Sequence, residues 1–332
     1  MASIAPAHDS QLSSPAPEKS GRTERDWGDF VYRTLTAGSA WIVLLLLGGT
    51  AASMAWGGRL AFSTFGFGFI TSSEWDVVNG QFGALVPIFG TLVSSAIAML
   101  IAVPVSLGIA MFLTEIAPHW IRTPIALAIE LLAAIPSIIY GMWGLFVFAP
   151  FLATHVEPWL TAHLGAWPVL GPLFDGPPIG IGLLGASMVL GIMIIPFVAS
   201  VARDVFNAVP PALKEAAVAL GATRWEVLTR VTLPYTRSAI AGAIFLGLGR
   251  ALGETMAVTF LIGNSHDLSA SLLMPANSIA ATIANEFTEA DTPLYTSSLI
   301  ALGFLLFVVT FIVLSLAKLM LARMDRSSGR TH

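Results

Sequence analysis

Arg250 and Glu254 lie four residues apart in the segment GLGRALGETMAV, residues 247–258, inside an otherwise apolar run. Because this spacing places two side chains on one face of an α-helix, we expect the guanidinium and the carboxylate to pair. A charge near the centre of a bilayer costs on the order of 2.5–3.5 kcal/mol, and such charges commonly mark transport pathways. The planar guanidinium also matches the oxygen atoms of oxyanions. We predict that the two residues gate an anion pathway; the alternative is a static ion pair that locks two helices.

The composition of the chain indicates a membrane protein. Of its 332 residues, 55% are hydrophobic and only 11% are charged, and the mean hydropathy is +0.80. Soluble domains carry about 25% charged residues, so the bilayer is the expected solvent. The chain has no cysteine, which excludes disulfides and thiolate chemistry. No pairing of a nucleophile with a base and no metal-ligand spacing stands out, so we predict neither catalytic residues nor a metal site.

Six apolar segments are long enough to cross a bilayer as helices. The third is entered from about residue 121, and the fifth contains Arg250 and Glu254. The sequence therefore predicts an all-α integral membrane protein with six transmembrane helices, at residues 34–58, 85–113, 131–156, 177–202, 238–265 and 292–317.

Basic residues predict the orientation, because Lys and Arg accumulate in cytoplasmic segments. With both termini inside, Arg59 is the one basic residue of the outside segments. A seventh helix at 268–285 would move the basic carboxyl-terminal tail outside. We therefore predict an outside loop there, with a short helix lying at the membrane surface. The inside segments then hold Lys19, Arg22, Arg25, Arg33, Arg122, Arg203, Lys214, Arg224, Arg230, Arg237, Lys318, Arg323, Arg326 and Arg330.

These assignments divide the chain into four parts. Residues 1–30 are rich in Pro and Ser and charged, so they are predicted to be a disordered cytoplasmic tail. Residues 31–84 hold the first transmembrane helix and an outside loop. Residues 85–320 form a core of five transmembrane helices with a long cytoplasmic loop at 203–237. Residues 321–332 form a second cytoplasmic tail.

The cytoplasmic loop is predicted to fold as a helix, a turn and a second helix. Pro210 suits a helix start, where a missing N–H costs little. Gly221 can adopt the left-handed conformation that ends a helix. Thr223 and Glu226 form a T-x-x-E capping box that starts the next helix. Pro234 is expected to end that second helix.

The same loop contains a motif with fixed spacing. It consists of Glu215-Ala216-Ala217, three residues, Gly221, nine residues, and then Val231-x-Leu233-Pro234. This motif resembles the EAA signature of the permease subunits of type I ABC importers, with valine in place of isoleucine. The resemblance implies that the loop is a coupling helix that docks on a separate ATPase. A P-loop needs Gly-Lys-[Ser/Thr], and no lysine of this chain follows a glycine. We therefore expect a partner to bind and hydrolyse ATP, and this chain to be no enzyme and to hold no cofactor.

Four further segments resemble permeases of the phosphate-specific ABC importer, at 86–115, 130–144, 248–258 and 275–290. This resemblance covers about residues 80–320. It implies import of inorganic phosphate across the bacterial inner membrane by alternating access. It also implies a second, PstA-type permease, a pair of PstB-type ATPases and a PstS-type phosphate-binding protein outside. Two alternatives stay open: a permease for sulfate or molybdate, and a secondary anion transporter, against which the coupling motif argues.

Overall fold

The computed structural model describes residues 27–168 and 170–327. The chain divides into two compact units, residues 1–50 and 51–332. The first helix, α1 (Trp27–Gly57), contains no buried residue. It begins before residue 30, so residues 27–30 belong to the helix and not to the predicted tail. Residues 1–26 and 328–332 of the two predicted tails lie outside the described residues.

The predicted number of transmembrane helices is confirmed. Within the described part of the chain, six helices are long and apolar enough to cross a membrane. Five of them begin and end within eight residues of the predicted bounds, and the fifth is displaced by 13–14 residues at both ends. The six spans are Trp27–Gly57, Leu85–Ile116, Ser137–Leu164, Leu183–Asn207, Arg224–Leu252 and Pro293–Arg323.

The third span starts later than predicted. Residues from position 121 onward belong to a separate helix, α5 (His119–Ala133), and the span itself begins at α6 (Ser137–Trp143). Pro136 separates the two helices, because proline lacks an N–H and disfavours helical backbone in the residue before it. The span continues through two π-helical turns and the helices α7 (Ala149–Phe151) and α8 (Glu157–Leu164).

The core of the second unit lies between α4 (Leu85–Met111) and α9 (Leu183–Asn207), which form the most extensive helix contact. Small residues permit this approach: a Cβ added to Gly191 would lie only 3.3 Å from the carbonyl oxygen of Ala98. Of the residues in the most apolar 18-residue stretch of α9, 61% are buried, which makes α9 the most enclosed of the six spans. The central apolar cluster includes Ala98, Met99, Ala102, Leu190, Met193 and Ile194.

A long loop, which the sequence predicts to be cytoplasmic, and a broken helix follow α9. The loop contains α10 (Pro211–Ala219), and α11 (Arg224–Val227) then runs through a π-helical turn (Leu228–Thr232) into α12 (Leu233–Leu252). The fifth span therefore begins and ends earlier than the predicted 238–265. A short helix, α13 (Met256–Thr259), follows the break.

The other end of the molecule is built from short elements around a second apolar cluster, which includes Phe69, Phe82, Tyr295 and Leu299. The short helix predicted within 268–285 is present as α14. Residues 279–282 are buried, and α14 packs against α4 and α15, so this helix lies within the protein fold, and its position at the membrane surface stays a prediction. The elements here are α2 (Arg59–Phe65), α3 (Gly68–Thr71), the antiparallel strands β1 (Trp75–Asp76) and β2 (Gln81–Phe82), α14 (Ile279–Glu286) and α15 (Pro293–Ser327).

Candidate functional site

Arg250 lies in the last turn of α12. The helix ends two residues later, and Gly253 donates its backbone N–H to the carbonyl oxygen of Gly249 at 3.3 Å. Glycine is a weak helix former, and Gly247, Gly249 and Gly253 are concentrated in this stretch. The end of α12 is therefore encoded locally, and Gly247 also allows α9 to approach closely, because an added Cβ there would lie 2.6 Å from Val198 Cγ2.

Glu254 does not share a helix face with Arg250. It follows the end of α12, in the connection to α13, and both residues are partly buried. Over the residues that the structure describes, no ion pair or hydrogen bond joins the two side chains. The predicted i,i+4 pairing is wrong, because helical spacing applies only while the helix continues.

The guanidinium of Arg250 faces aromatic rings instead of a carboxylate. Its central carbon lies 5.6 Å from the centre of the Phe197 ring on α9. The phenol of Tyr140, on α6, is within electrostatic reach of the same charge. The Nε atom of Arg250 is buried and has no acceptor among the described residues. The site thus presents a permanent cation with an unused donor, which is the chemistry that binds an oxyanion.

The loop between α9 and α12 has the local structure that its sequence predicts. Pro210 precedes the first residue of α10, and Gly221 ends this helical turn in the left-handed region at φ +89°. The backbone N–H of Glu226 donates to the Thr223 hydroxyl at 3.3 Å, and the Thr223 N–H donates to the Glu226 carboxylate at 3.0 Å. The predicted helix, turn and capping box are confirmed.

The prediction that Pro234 ends the second helix is wrong. Pro234 lies at the start of α12, directly after the π-helical turn Leu228–Thr232, and the helix runs on without a break. A wider turn already changes the hydrogen-bond register there, so the missing N–H of proline is accommodated. The loop that contains the motif is therefore continuous with the helix that holds Arg250.

Three of the motif residues, Ala217, Gly221 and Val231, line a groove of about 320 Å³ on the loop. Glu215 and Ala216 are exposed, whereas Ala217, Val231, Leu233 and Pro234 are partly buried. Ala217 and Gly221 leave the groove open because their side chains are small. Leu220, which also lines the groove, is 90% exposed. The groove is lined by Ala217, Leu220, Gly221, Ala222, Glu226, Arg230 and Val231.

A polar cluster at the opposite end of the molecule was not predicted from the sequence. Glu286 accepts hydrogen bonds from His266 at 2.8 Å, Trp75 at 2.8 Å and Tyr295 at 2.7 Å. Burial by itself would raise the pKa of Glu286, but the hydrogen bonds, that of His266 foremost, outweigh it and hold the pKa below its ordinary value. The cluster ties the β-hairpin to α14 and α15.

Comparisons with known proteins identify the class of the chain. Residues 102–326 match the family described as "Binding-protein-dependent transport system inner membrane component". The chain belongs to this family of multi-pass inner membrane permeases and, within it, to the PstC group. This assignment confirms the predicted permease family and the predicted location.

Two curated relatives support the assignment, and one solved structure shows the same fold. The chain is 57% identical over 310 residues to "Phosphate transport system permease protein PstC" of Xylella fastidiosa (strain Temecula1), covering 93% of this chain and 95% of that protein. It is also 57% identical over 301 residues to the protein of the same name from Mesorhizobium japonicum, covering 91% and 92%. The crystal structure of a bacterial ABC transporter that imports alginate matches with a TM-score of 0.55 at 20% identity, covering 90% and 99%, which shows a shared fold.

Proposed function

We propose that this chain is the translocation subunit of an ATP-driven importer of inorganic phosphate. The observation that supports this most directly is the buried Nε atom of Arg250, which has no acceptor among the described residues. An unpaired guanidinium in a membrane helix is a binding group for an oxyanion in transit. The 57% identity to phosphate permeases supports phosphate as that oxyanion.

The proposed partners follow from the division of labour in such importers. A second, PstA-type permease completes the pathway, a pair of PstB-type ATPases docks on the cytoplasmic loop, and a PstS-type carrier delivers phosphate outside. The partner ATPases bind and hydrolyse ATP, and this chain holds no cofactor of its own. The exposed motif residues Glu215 and Ala216, together with Leu220, support docking at α10. The loop then faces the cytoplasm, and the segment 275–290 faces the carrier.

Arg250 and Glu254 keep a proposed role in the pathway, but they act separately. Arg250 binds the anion, and Glu254 lies past the end of the helix, where its negative charge repels an anion that has left the guanidinium. The alternative of a static lock between them loses its support, since the two side chains are not paired.

Transport by the reconstituted complex tests the proposal. Vesicles that contain this chain, the partner permease and the ATPases are supplied with the carrier and ATP, and the uptake of labelled phosphate, sulfate and molybdate is compared. We expect ATP-dependent uptake of phosphate alone. Uptake of sulfate or molybdate through its own carrier would favour the other oxyanion permeases, and uptake by this chain alone would favour a secondary transporter.

A further inference from the structure

Lys214 attaches α10 to a membrane-spanning helix that is distant in sequence. Its Nζ atom lies 2.5 Å from Glu115 Oε1, in the π-helical turn Phe112–Ile116 that extends α4. It also lies 3.5 Å from the carbonyl oxygen of Phe206, near the end of α9. The two charged side chains are only 22% and 14% exposed. Charge-assisted hydrogen bonds of this kind are short and directional, so the pair defines a fixed point of contact.

The rest of α10 is loosely held. The helix contains no buried residue, and its larger contacts are with α11 and the π-helical turn that follows it in the same loop. Among the described residues, Lys214 is the only α10 side chain that makes a hydrogen bond or an ion pair. A displacement of α10 therefore reaches α4 through the Lys214–Glu115 contact.

The amino-terminal end of α4 contacts residues 277–279, which precede and begin α14. The Thr91 hydroxyl accepts a hydrogen bond from the backbone N–H of Ile279 at 2.9 Å. Gly90 lies directly against the carbonyl oxygen of Asn277, where an added Cβ would be 1.9 Å away. Thr91 and Glu115 are 24 positions apart, which corresponds to about 36 Å of helix at 1.5 Å per residue. One continuous helical element, with Pro104 in its interior, thus contacts α10 at one end and residues 277–279 at the other.

We propose that the Lys214–Glu115 ion pair transmits the movement of the coupling helix to α4, and through α4 to residues 277–279 on the opposite side of the membrane. Both are positioning residues for transport, since neither lies near Arg250 in the pathway. The π-helical turn that contains Glu115 is of the kind that often occurs at functional sites in helices. The inference rests on the proposed function, because it requires an ATPase docked on α10.

The test measures coupling in the complete complex. Phosphate uptake and ATP hydrolysis, with and without the carrier, are measured in the same vesicles for Glu115→Gln, Lys214→Gln and the charge-swapped double variant Glu115→Lys/Lys214→Glu. We expect both single variants to retain the ATPase subunits but to lose about fivefold or more in phosphate moved per ATP. The double variant restores most of this ratio. The matched control is Glu130→Gln, which removes the 2.8 Å ion pair of Arg203 between α5 and α9 and leaves the ratio unchanged.

Two results would overturn the inference. One is a normal ratio of uptake to hydrolysis in both single variants. The other is loss of the ATPase subunits from both, without rescue by the double variant, which would make the pair a part of folding or docking. Failure of the proposed substrate is distinguishable from both. If the wild-type complex moves no phosphate but hydrolyses ATP faster with a carrier than without it, the ion pair can still be tested. The stimulation of ATP hydrolysis by the carrier is then compared between the wild type and the variants.

Discussion

The guanidinium carbon of Arg250 lies 5.6 Å from the centre of the Phe197 ring, so the cation near the end of α12 rests on α9. A cation over an aromatic face is held by the ring's quadrupole, and its N–H donors stay available to other groups. Phe197 therefore positions the charge of Arg250 without neutralising it. A carboxylate in the same place would have bound the donors that an anion needs.

Removing the charge of Arg250 is expected to abolish most transport. Arg250→Gln loses a charge-assisted contact of about 1.5–3 kcal/mol, which corresponds to roughly a tenfold to hundredfold fall in phosphate uptake. Arg250→Lys keeps the charge but not the planar fork, so uptake falls less. Uptake by vesicles that contain equal amounts of complex measures both variants. If the single variants Arg250→Gln and Glu254→Gln both take up phosphate at the normal rate, these two residues have no role in the pathway.

Removing the ring of Phe197 is expected to weaken transport without removing the charge. Phe197→Leu loses a cation–π contact of about 0.5–2 kcal/mol, so uptake falls roughly two- to thirtyfold. Phe197→Trp keeps an aromatic face and serves as the matched control. If the Phe197→Leu and Phe197→Trp variants transport phosphate equally well, the aromatic ring does not position Arg250.

A substitution at Gly90 is expected to destabilise the protein. The Cβ of Gly90→Ala would lie 1.9 Å from the carbonyl oxygen of Asn277, a backbone atom that cannot rotate away. We expect a loss of about 1–3 kcal/mol in the free energy of unfolding, typical of overpacking. Thermal unfolding of the purified protein measures it. Gly108→Ala on the same helix is the control, because nothing lies within 4 Å of its added Cβ.

Leu220 is expected to contact the ATPase. Its side chain is 90% exposed beside the small-residue groove of the coupling loop. Leu220→Asp places a charge on this apolar surface, so co-purification of the ATPase subunits should fall while the thermal stability of the permease stays unchanged. Val78→Asp, at a 94% exposed site near the opposite end, is the control. Equal ATPase binding by the two variants would contradict docking at this loop.

The cluster around Glu286 predicts a loss of stability in acid. Its folded pKa is held below the ordinary glutamate value of about 4.3 by hydrogen bonds that outweigh burial. A depressed pKa contributes stability that is fully present above the unfolded value and is lost as pH falls through the folded one. Thermal unfolding between about pH 5.5 and pH 3 should show this loss in wild type. The loss should be smaller in Glu286→Gln and unchanged in the exposed control Glu289→Gln.

The sequence was most informative where a structural feature depends on neighbouring residues. The start of α10 after Pro210, its left-handed end at Gly221 and the Thr223–Glu226 capping box are all set within a few residues, and all were predicted. The six spans were likewise countable, because bilayer thickness sets their length.

Contacts between segments that are distant in the chain could not be predicted from the sequence. Nothing in the spacing of Trp75, His266, Glu286 and Tyr295 indicates that they meet, since the fold alone brings them together. The contact of Arg250 with Phe197 is of the same kind. The Arg250–Glu254 pairing failed for a different reason. It assumed an uninterrupted helix through three glycines, and that concentration of glycine was itself the signal for the break.

Because α12 ends at Leu252, the partial negative charge of its last carbonyl groups lies within one turn of Arg250. An anion on the guanidinium is therefore attracted by the side chain and repelled by the helix end at the same time. In the proposed pathway, this opposition shortens the residence time of the anion. A permease that receives its anion from a carrier, as we propose for this chain, has no need to hold it tightly, and a short residence time lets each ATPase cycle release the anion that it has admitted.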